Sequence, residues 1–120
     1  MKVVDLKTIP GENVESTIMT PGPVTWQTAL QPPDSNIEIC QINFGKGVRN
    51  KLHTHTDEQI LIITAGKGWV ATETEKVVVE PGCIVHFAPG EKHWHGALPD
   101  SEFSHIFIRL SGTKTTQFEE

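Results

Sequence analysis

The sequence is short of cysteine and of basic residues. Only two of its 120 residues are cysteines, Cys40 and Cys83, which are too few for a disulfide-stabilised fold and are expected to be reduced thiols. Ten Lys and Arg against fifteen Asp and Glu give a net charge of −5. Nucleic-acid binding normally needs a basic face that contacts the phosphates. We therefore expect neither a disulfide scaffold nor a nucleic-acid partner.

Long hydrophobic segments and helical periodicity are also missing. No apolar run approaches the roughly 18 residues that a membrane span needs, and the first residues lack the apolar stretch of a signal peptide. We expect a cytoplasmic protein with no membrane partner. No part of the central chain keeps the 3.6-residue period of an amphipathic helix, so helices are not expected there.

The chain contains instead a series of short segments rich in Val, Ile, Thr and aromatic residues, separated by Gly and Pro turns. The predicted strands are Asn36–Phe44, Lys51–His55, Gln59–Thr64, Gly68–Thr74, Lys76–Val79, Ile84–Phe87 and Phe103–Leu110. This pattern predicts a single all-β domain, a small barrel or sandwich. We expect residues 1–35 to form an N-terminal arm with the edge strand or strands, 36–112 the barrel core, and 113–120 a C-terminal tail.

Six histidines in so short a chain are its most distinctive feature. His53 and His55 are two residues apart, so on a strand both side chains point to one face. Gln59 keeps the same parity, whereas Glu58 has the opposite one. A second pair, His93 and His95, follows the turn at Pro89-Gly90. Four aligned histidines on two strands are costly to bury without a ligand, so the pattern predicts a metal site.

The spacing of these residues resembles the two sequence motifs of the cupin family. The segments that carry the resemblance are Gly47-x5-His53-x-His55-x3-Gln59-x6-Gly66 and Gly82-x5-Ala88-x-Gly90-x2-His93. The resemblance implies a jelly-roll barrel (a double-stranded β-helix) that holds one divalent metal ion and assembles as a homodimer or, less often, a tetramer. The metal ligands that it implies are His53, His55, Gln59 and His93.

Gln59 stands where the family usually has Glu. Three neutral imidazoles and an amide leave the metal its full +2 charge, which predicts a stronger Lewis acid and a less accessible ferric state. Mn or Fe is the expected ion, and Ni, Co or Zn also suits such a ligand set.

A narrower resemblance is to the small bacterial cupins that include the manganese-dependent hydroxynitrile lyases and carboxymuconolactone decarboxylase-like relatives. It rests on Arg49-x3-His53-x-His55-x3-Gln59, Thr64-Ala65-Gly66-x-Gly68-Trp69 and Phe87-x-Pro89-Gly90-Glu91-Lys92-His93-Trp94-His95-Gly96-Ala97. In the lyases a histidine two residues after the last ligand acts as base, which implies this role for His95, and a further pocket histidine matches His105. Asn50 stands where the lyases have Thr, and Arg109 where they have a neutral residue.

Arg109 shares one face of the last predicted strand with His105 and Phe107. An inward Arg beside a metal ion suits a substrate carboxylate, which it would bind with two parallel hydrogen bonds. The alternative is an Arg at the strand end that reaches solvent or pairs with a glutamate. His86, among apolar neighbours, is expected to be a hydrogen-bonded histidine of the barrel. Trp26 is a candidate for the mouth of the pocket.

The function predicted from the sequence is a metal-dependent lyase, decarboxylase or isomerase that acts on a small oxygenated molecule, with or without a carboxylate. The expected catalytic residues are His95, His105 and Arg109. A non-catalytic metal- or small-molecule-binding module and an iron-dependent dioxygenase remain alternatives. Cupins that tautomerise unsaturated uronates are a further comparison, but Phe103 stands where they place an acid.

Overall fold

The computed structural model describes residues 1–120 and consists almost entirely of β-strands. A short 3-10 helix, Leu6–Thr8, precedes eleven strands. The strands are β1 (Glu12–Asn13), β2 (Val24–Leu30), β3 (Ile37–Phe44), β4 (His53–His55), β5 (Gln59–Gly66), β6 (Gly68–Thr72), β7 (Lys76–Val79), β8 (Ile84–Phe87), β9 (His93–Ala97), β10 (Phe103–Leu110) and β11 (Thr115–Gln117). The prediction of a single all-β domain is confirmed. No helix has the length and apolar character needed to cross a bilayer.

The strands form two antiparallel sheets that make up a jelly-roll barrel. One sheet has six strands in the order β1-β2-β3-β10-β5-β8, and the other has five in the order β11-β4-β9-β6-β7. Several neighbours in these sheets are distant in sequence, as in the pairing of β3 with β10 and of β4 with β11. The double-sheet barrel predicted from the sequence is therefore confirmed.

The interior of the barrel is part apolar core and part polar cavity. Buried and more exposed residues alternate along β5 and β10, as expected for strands with one face inside. The inward face of β10 carries Phe103, His105 and Phe107 in succession. Apolar packing on these strands therefore fixes the positions of the polar groups that share their inner face.

Residues outside the predicted core also join the sheets. β2 lies inside the six-stranded sheet, with β1 at its edge and β3 on the other side. β11 lies within the segment 113–120 and pairs with β4, the strand of the first histidine pair. Both ends of the chain thus contribute strands to the barrel.

The turn from β5 to β6 requires a glycine at its corner. Gly66 has a φ of 69°, in the left-handed region that other residues rarely adopt. A side chain there would also collide with the backbone carbonyl of Glu102. Gly66 is the last glycine of the first motif, so this motif position has a backbone role.

Candidate metal centre and its cavity

Strands β4 and β9 bring three histidines together inside the barrel. His53 and His93 are direct cross-strand partners, and His55 lies on the same face of β4 as His53. One ring nitrogen from each of the three side chains lies within 4.8 Å of the other two. All three rings are buried. The structure therefore brings together the three histidines predicted as metal ligands.

Backbone carbonyls fix the tautomer of two of these histidines. The Nδ1 atom of His53 lies 2.6 Å from the carbonyl oxygen of Lys51, and Nδ1 of His93 lies 2.8 Å from that of Glu91. A carbonyl oxygen only accepts hydrogen bonds, so Nδ1 carries the proton and Nε2 keeps its lone pair. Metal-binding histidines are commonly oriented by such a bond from the other ring nitrogen.

The third histidine is held by the C-terminal strand. The Nδ1 atom of His55 lies 2.8 Å from the hydroxyl oxygen of Thr115 on β11. Sequence reasoning missed Thr115, which it left in a C-terminal tail. Its neighbours in sequence offer no motif, and only the pairing of β11 with β4 brings it to His55.

An ion pair fastens this C-terminal segment to the barrel. Glu119 accepts two hydrogen bonds from the Arg49 guanidinium, at 3.1 and 3.0 Å, and a third from the backbone N–H of Leu52 at 2.7 Å. These hydrogen bonds lower the pKa of Glu119 to about 2, and the bonding to Arg49 is the largest cause. The carboxylate thus stays charged in ordinary conditions and holds the end of the chain beside β4.

Unpaired polar atoms show that the site fits a cation. The Oε1 atom of Gln59 and the Nε2 atom of His93 are buried without any hydrogen-bond partner. Buried polar atoms in folded proteins normally have a partner, so these two lone pairs indicate a missing ligand. Gln59 lines the same cavity as His53 and His55, and its side chain approaches His55. An amide oxygen and three imidazole nitrogens are donors that first-row divalent metals accept.

Burial keeps these imidazoles neutral, which is the form that binds metal. Desolvation is the main cause in each case. It lowers the pKa of His53 to about 4 and that of His55 to about 3, and it also lowers the pKa of His93. At neutral pH the Nε2 lone pairs of His53 and His93 are therefore available, and the His55 ring is neutral.

His95 and His105 line the same cavity as His53 and His55 and are held differently. Asn50 accepts a 2.8 Å hydrogen bond from the backbone N–H of His95 through Oδ1, which turns its Nδ2 toward His95 Nε2 at 3.2 Å. His95 Nδ1 and both ring nitrogens of His105 have no partner. The two ring centroids are 4.9 Å apart. Burial lowers the pKa of His95 well below its ordinary value and that of His105 to about 3.

The cavity around these groups has a volume of about 460 Å³. Its walls include Ile42, Phe44 and Phe107, and the N-terminal segment 14–19 covers part of it together with Trp26. The segment is fixed by a 2.7 Å hydrogen bond from the Lys51 N–H to the Ile18 carbonyl. Asn50 and the segment 14–19 are pocket residues that sequence reasoning did not assign to the site.

Arg109 also lines the cavity, but it has a protein partner. Its Nε donates a 2.9 Å hydrogen bond to Glu38, and its guanidinium carbon lies 4.6 Å from the centroid of the Phe107 ring. Of the two alternatives open from the sequence, pairing with a glutamate is thus present. Contact with a substrate stays a prediction.

His86 lies on a strand of the barrel, as expected, but its side chain does not face the interior. His86 is exposed on the outer face of β8, with Nε2 3.5 Å from a Glu58 carboxylate oxygen. The neighbouring Phe87 is buried, and alternation along the strand turns His86 outward.

Comparison with known proteins agrees with this architecture. The cupin domain family, Cupin_2, matches residues 41–109, more than half of the chain. The chain belongs to the cupin family. This cupin is 41% identical over 102 residues to an (R)-mandelonitrile lyase of Granulicella tundricola, covering 76% of this chain and 78% of that protein.

Solved structures share the fold of this cupin. A cupin-like protein of Thermotoga maritima superposes with a TM-score of 0.84 at 29% identity, over 92% of this chain and 86% of that one. The polyketide cyclase RemF of Streptomyces resistomycificus superposes with a TM-score of 0.88 over 100% of this chain and 87% of that one, at 15% identity. At such low identity the second likeness shows the fold alone.

Proposed function

We propose that this cupin is a metal-dependent lyase acting on a small oxygenated substrate, with cyanohydrins as the first compounds to test. The observation that carries the proposal is the set of converging ring nitrogens on His53, His55 and His93 beside the unpaired Oε1 of Gln59. The 41% identity to an (R)-mandelonitrile lyase supports the reaction class.

His53, His55, Gln59 and His93 would hold the ion. A bound divalent metal would act as a Lewis acid that polarises a hydroxyl or carbonyl oxygen, and four neutral ligands would leave it the full +2 charge. Mn or Fe is the proposed ion.

His95 and His105 are the proposed proton-transfer groups, and their surroundings suggest separate roles. Asn50 donates to Nε2 of His95, so neutral His95 carries its proton on Nδ1 and can donate it there. His105 has no partner at either ring nitrogen, so one of them keeps a free lone pair that can accept a proton. The cavity thus contains a donor and an acceptor with ring centroids 4.9 Å apart.

The cavity walls restrict the substrate and its exposure to water. Phe44, Ile42 and Phe107 supply apolar surface in the cavity that the histidines line, and residues 14–19 form another part of its wall. A volume of about 460 Å³ suits a small molecule. Apolar walls around neutral proton-transfer groups favour a reaction sheltered from bulk water.

Reconstitution and substitution test this proposal together. Metal-free protein is loaded separately with Mn²⁺, Fe²⁺, Ni²⁺, Co²⁺ or Zn²⁺ and assayed for cleavage of cyanohydrins, with oxygen consumption followed in the Fe²⁺ sample. We expect cleavage by at least one loaded form. His95→Ala should lower turnover by about 10²- to 10⁴-fold with full metal content, because a proton-transfer group and not a ligand is removed.

Exposed His86→Ala is the matched control and should keep both turnover and metal content. Metal binding without turnover on any compound would contradict the lyase proposal and favour a non-catalytic binding module. Oxygen uptake coupled to substrate loss would favour a dioxygenase. A homodimer and a cytoplasmic location remain predictions from the sequence.

A further inference from the structure

Arg109 lies next to the candidate metal ligands. In the six-stranded sheet it is the direct cross-strand partner of Gln59 on β5 and of Glu38 on β3. Side chains of such direct partners are about 5 Å apart at Cβ. Arg109 and Gln59 line the same cavity, together with His53 and His55.

The guanidinium group is held in place but is only partly used. Its Nε donates to Glu38, and its guanidinium carbon lies over the ring of Phe107, a residue of the cavity wall. The Nη1 and Nη2 atoms make no hydrogen bond to any other protein group, and 27% of the side chain is exposed. One edge of the guanidinium therefore orients Arg109 while the other offers two parallel donors.

There is room for a ligand on both sides of this residue. A second cavity of about 210 Å³ is lined by Arg109, Glu38, Trp26 and Phe107. Three of these, Arg109, Trp26 and Phe107, also line the main cavity. Arg109 thus stands between the reaction cavity and additional space.

With a divalent ion bound, the charges around the main cavity would favour an anionic ligand. Among the residues that line the main cavity only Glu15 and Arg109 carry a formal charge at neutral pH, and Glu15 is exposed on the N-terminal segment. The four candidate ligands are neutral, so none of them offsets the charge of a bound divalent ion. The negative charge of Glu38 offsets only the charge of Arg109. An anionic substrate would offset the charge of the metal ion.

We propose that Nη1 and Nη2 of Arg109 bind a carboxylate of the substrate, so that the preferred substrates are small hydroxy or oxo acids. The inference rests on the proposed function, which assigns the reaction at the other end of the substrate. Arg109 would determine specificity rather than transfer a proton. A planar guanidinium with two free donors binds a carboxylate more strongly than it binds a neutral amide of the same shape.

Calorimetric titration of metal-free protein tests this without interference from carboxylate binding to a metal. The probes are lactate, mandelate, 3-hydroxybutyrate and benzoate, each paired with its carboxamide. We expect at least one acid to bind about tenfold or more tightly than its amide, in the range expected for a hydrogen bond to a charged group. Arg109→Gln should abolish this preference and leave the amide affinity unchanged.

Glu38→Gln is the matched variant, because it removes the competing anion and keeps the arginine. It should preserve or increase the preference for the acid. The inference is overturned if no acid binds more tightly than its amide, if Arg109→Gln keeps the preference, or if Glu38→Gln loses it. The last result would show that the preference depends on the charge of Glu38 and not on the free Nη1 and Nη2 donors alone.

The same titrations on Mn²⁺-loaded protein separate this inference from the proposed function. An Arg109-dependent preference for acids in a protein without lyase activity would contradict the lyase proposal alone. Cyanohydrin cleavage in a protein with no preference for acids would contradict the carboxylate inference alone.

Discussion

Two groups of histidines lie side by side inside the barrel and differ in what holds their rings. His53, His55 and His93 each have Nδ1 beside an oxygen, from Lys51, Thr115 and Glu91 respectively. His95 has its Nε2 beside an amide nitrogen of Asn50, and His105 has no partner at all. Burial lowers the pKa in both groups, so burial does not distinguish them.

The difference shows how neighbouring groups assign roles to chemically identical side chains. A carbonyl acceptor at Nδ1 of His53 and of His93 directs the lone pair of each ring to Nε2, and one ring nitrogen from each of the three ligand histidines lies within 4.8 Å of the other two. An amide donor at Nε2 instead directs the proton of His95 to Nδ1. The first arrangement suits a metal ion and the second suits transfer of a proton.

The largest expected effect comes from removing His105, a member of the second group of histidines. It concerns the stability of the protein at acid pH. The folded-state pKa of His105 is about 3, far below the ordinary value of 6.5. Below about pH 6.5 the unfolded chain therefore binds a proton that the folded protein does not, and the free energy of unfolding decreases as the pH falls toward 3. His105→Asn should reduce this dependence by about 1.4 kcal/mol per pH unit near pH 5, the value for one proton.

The measurement is urea-induced unfolding of metal-free wild type and His105→Asn at several pH values between 7 and about 4. A loss of stability that does not depend on pH lowers the free energy of unfolding equally at every pH. It therefore leaves the slope of that free energy against pH unchanged. His86→Asn, on the exposed outer face of β8, is the control for the loss of a histidine outside the cavity. Equal slopes for wild type and His105→Asn would contradict the account of a buried neutral His105.

A smaller effect is expected when His55 loses its oxygen partner. Thr115→Val removes the hydroxyl that is hydrogen-bonded to Nδ1 of His55, and metal affinity should fall by about tenfold, the lower end for such supporting hydrogen bonds. The lower end is expected because Thr115 is exposed, so water can replace its hydroxyl. Competition with a chelator measures the dissociation constant directly.

Thr116→Val is the matched control, since Thr116 lies next to Thr115 on the same exposed strand and has no hydrogen bond to a histidine. Its metal affinity should equal that of the wild type. An unchanged affinity in Thr115→Val, or an equal loss in both variants, would show that the hydroxyl of Thr115 does not orient His55.

The sequence permits prediction of features that depend on local alternation. The two-residue spacing of His53 with His55, and of His93 with His95, places each pair on one face, and the structure confirms this for both strands. The bounds of β7, β8 and β10 agree with the predicted segments. The same alternation rule applied to β8, where Phe87 is buried, would have turned His86 outward.

Features that depend on contacts between distant segments could not be predicted in this way. Thr115 reaches His55 only because β11 pairs with β4, and Glu119 reaches Arg49 across 70 positions of the chain. Asn50 has no motif to mark it as the partner of His95. The pairing of Arg109 with Glu38 follows from the register of β10 on β3, which the sequence pattern leaves open.

Metal content tests the central claim most directly. Purified protein is stripped with a chelator, dialysed against Mn²⁺ and analysed for bound metal, next to the variants His53→Ala and His86→Ala. The account predicts one divalent ion per chain in wild type and His86→Ala and loss of that ion in His53→Ala, because the binding atoms come from the buried cluster. Wild-type protein that retains no metal, or His53→Ala that retains as much as wild type, would contradict it.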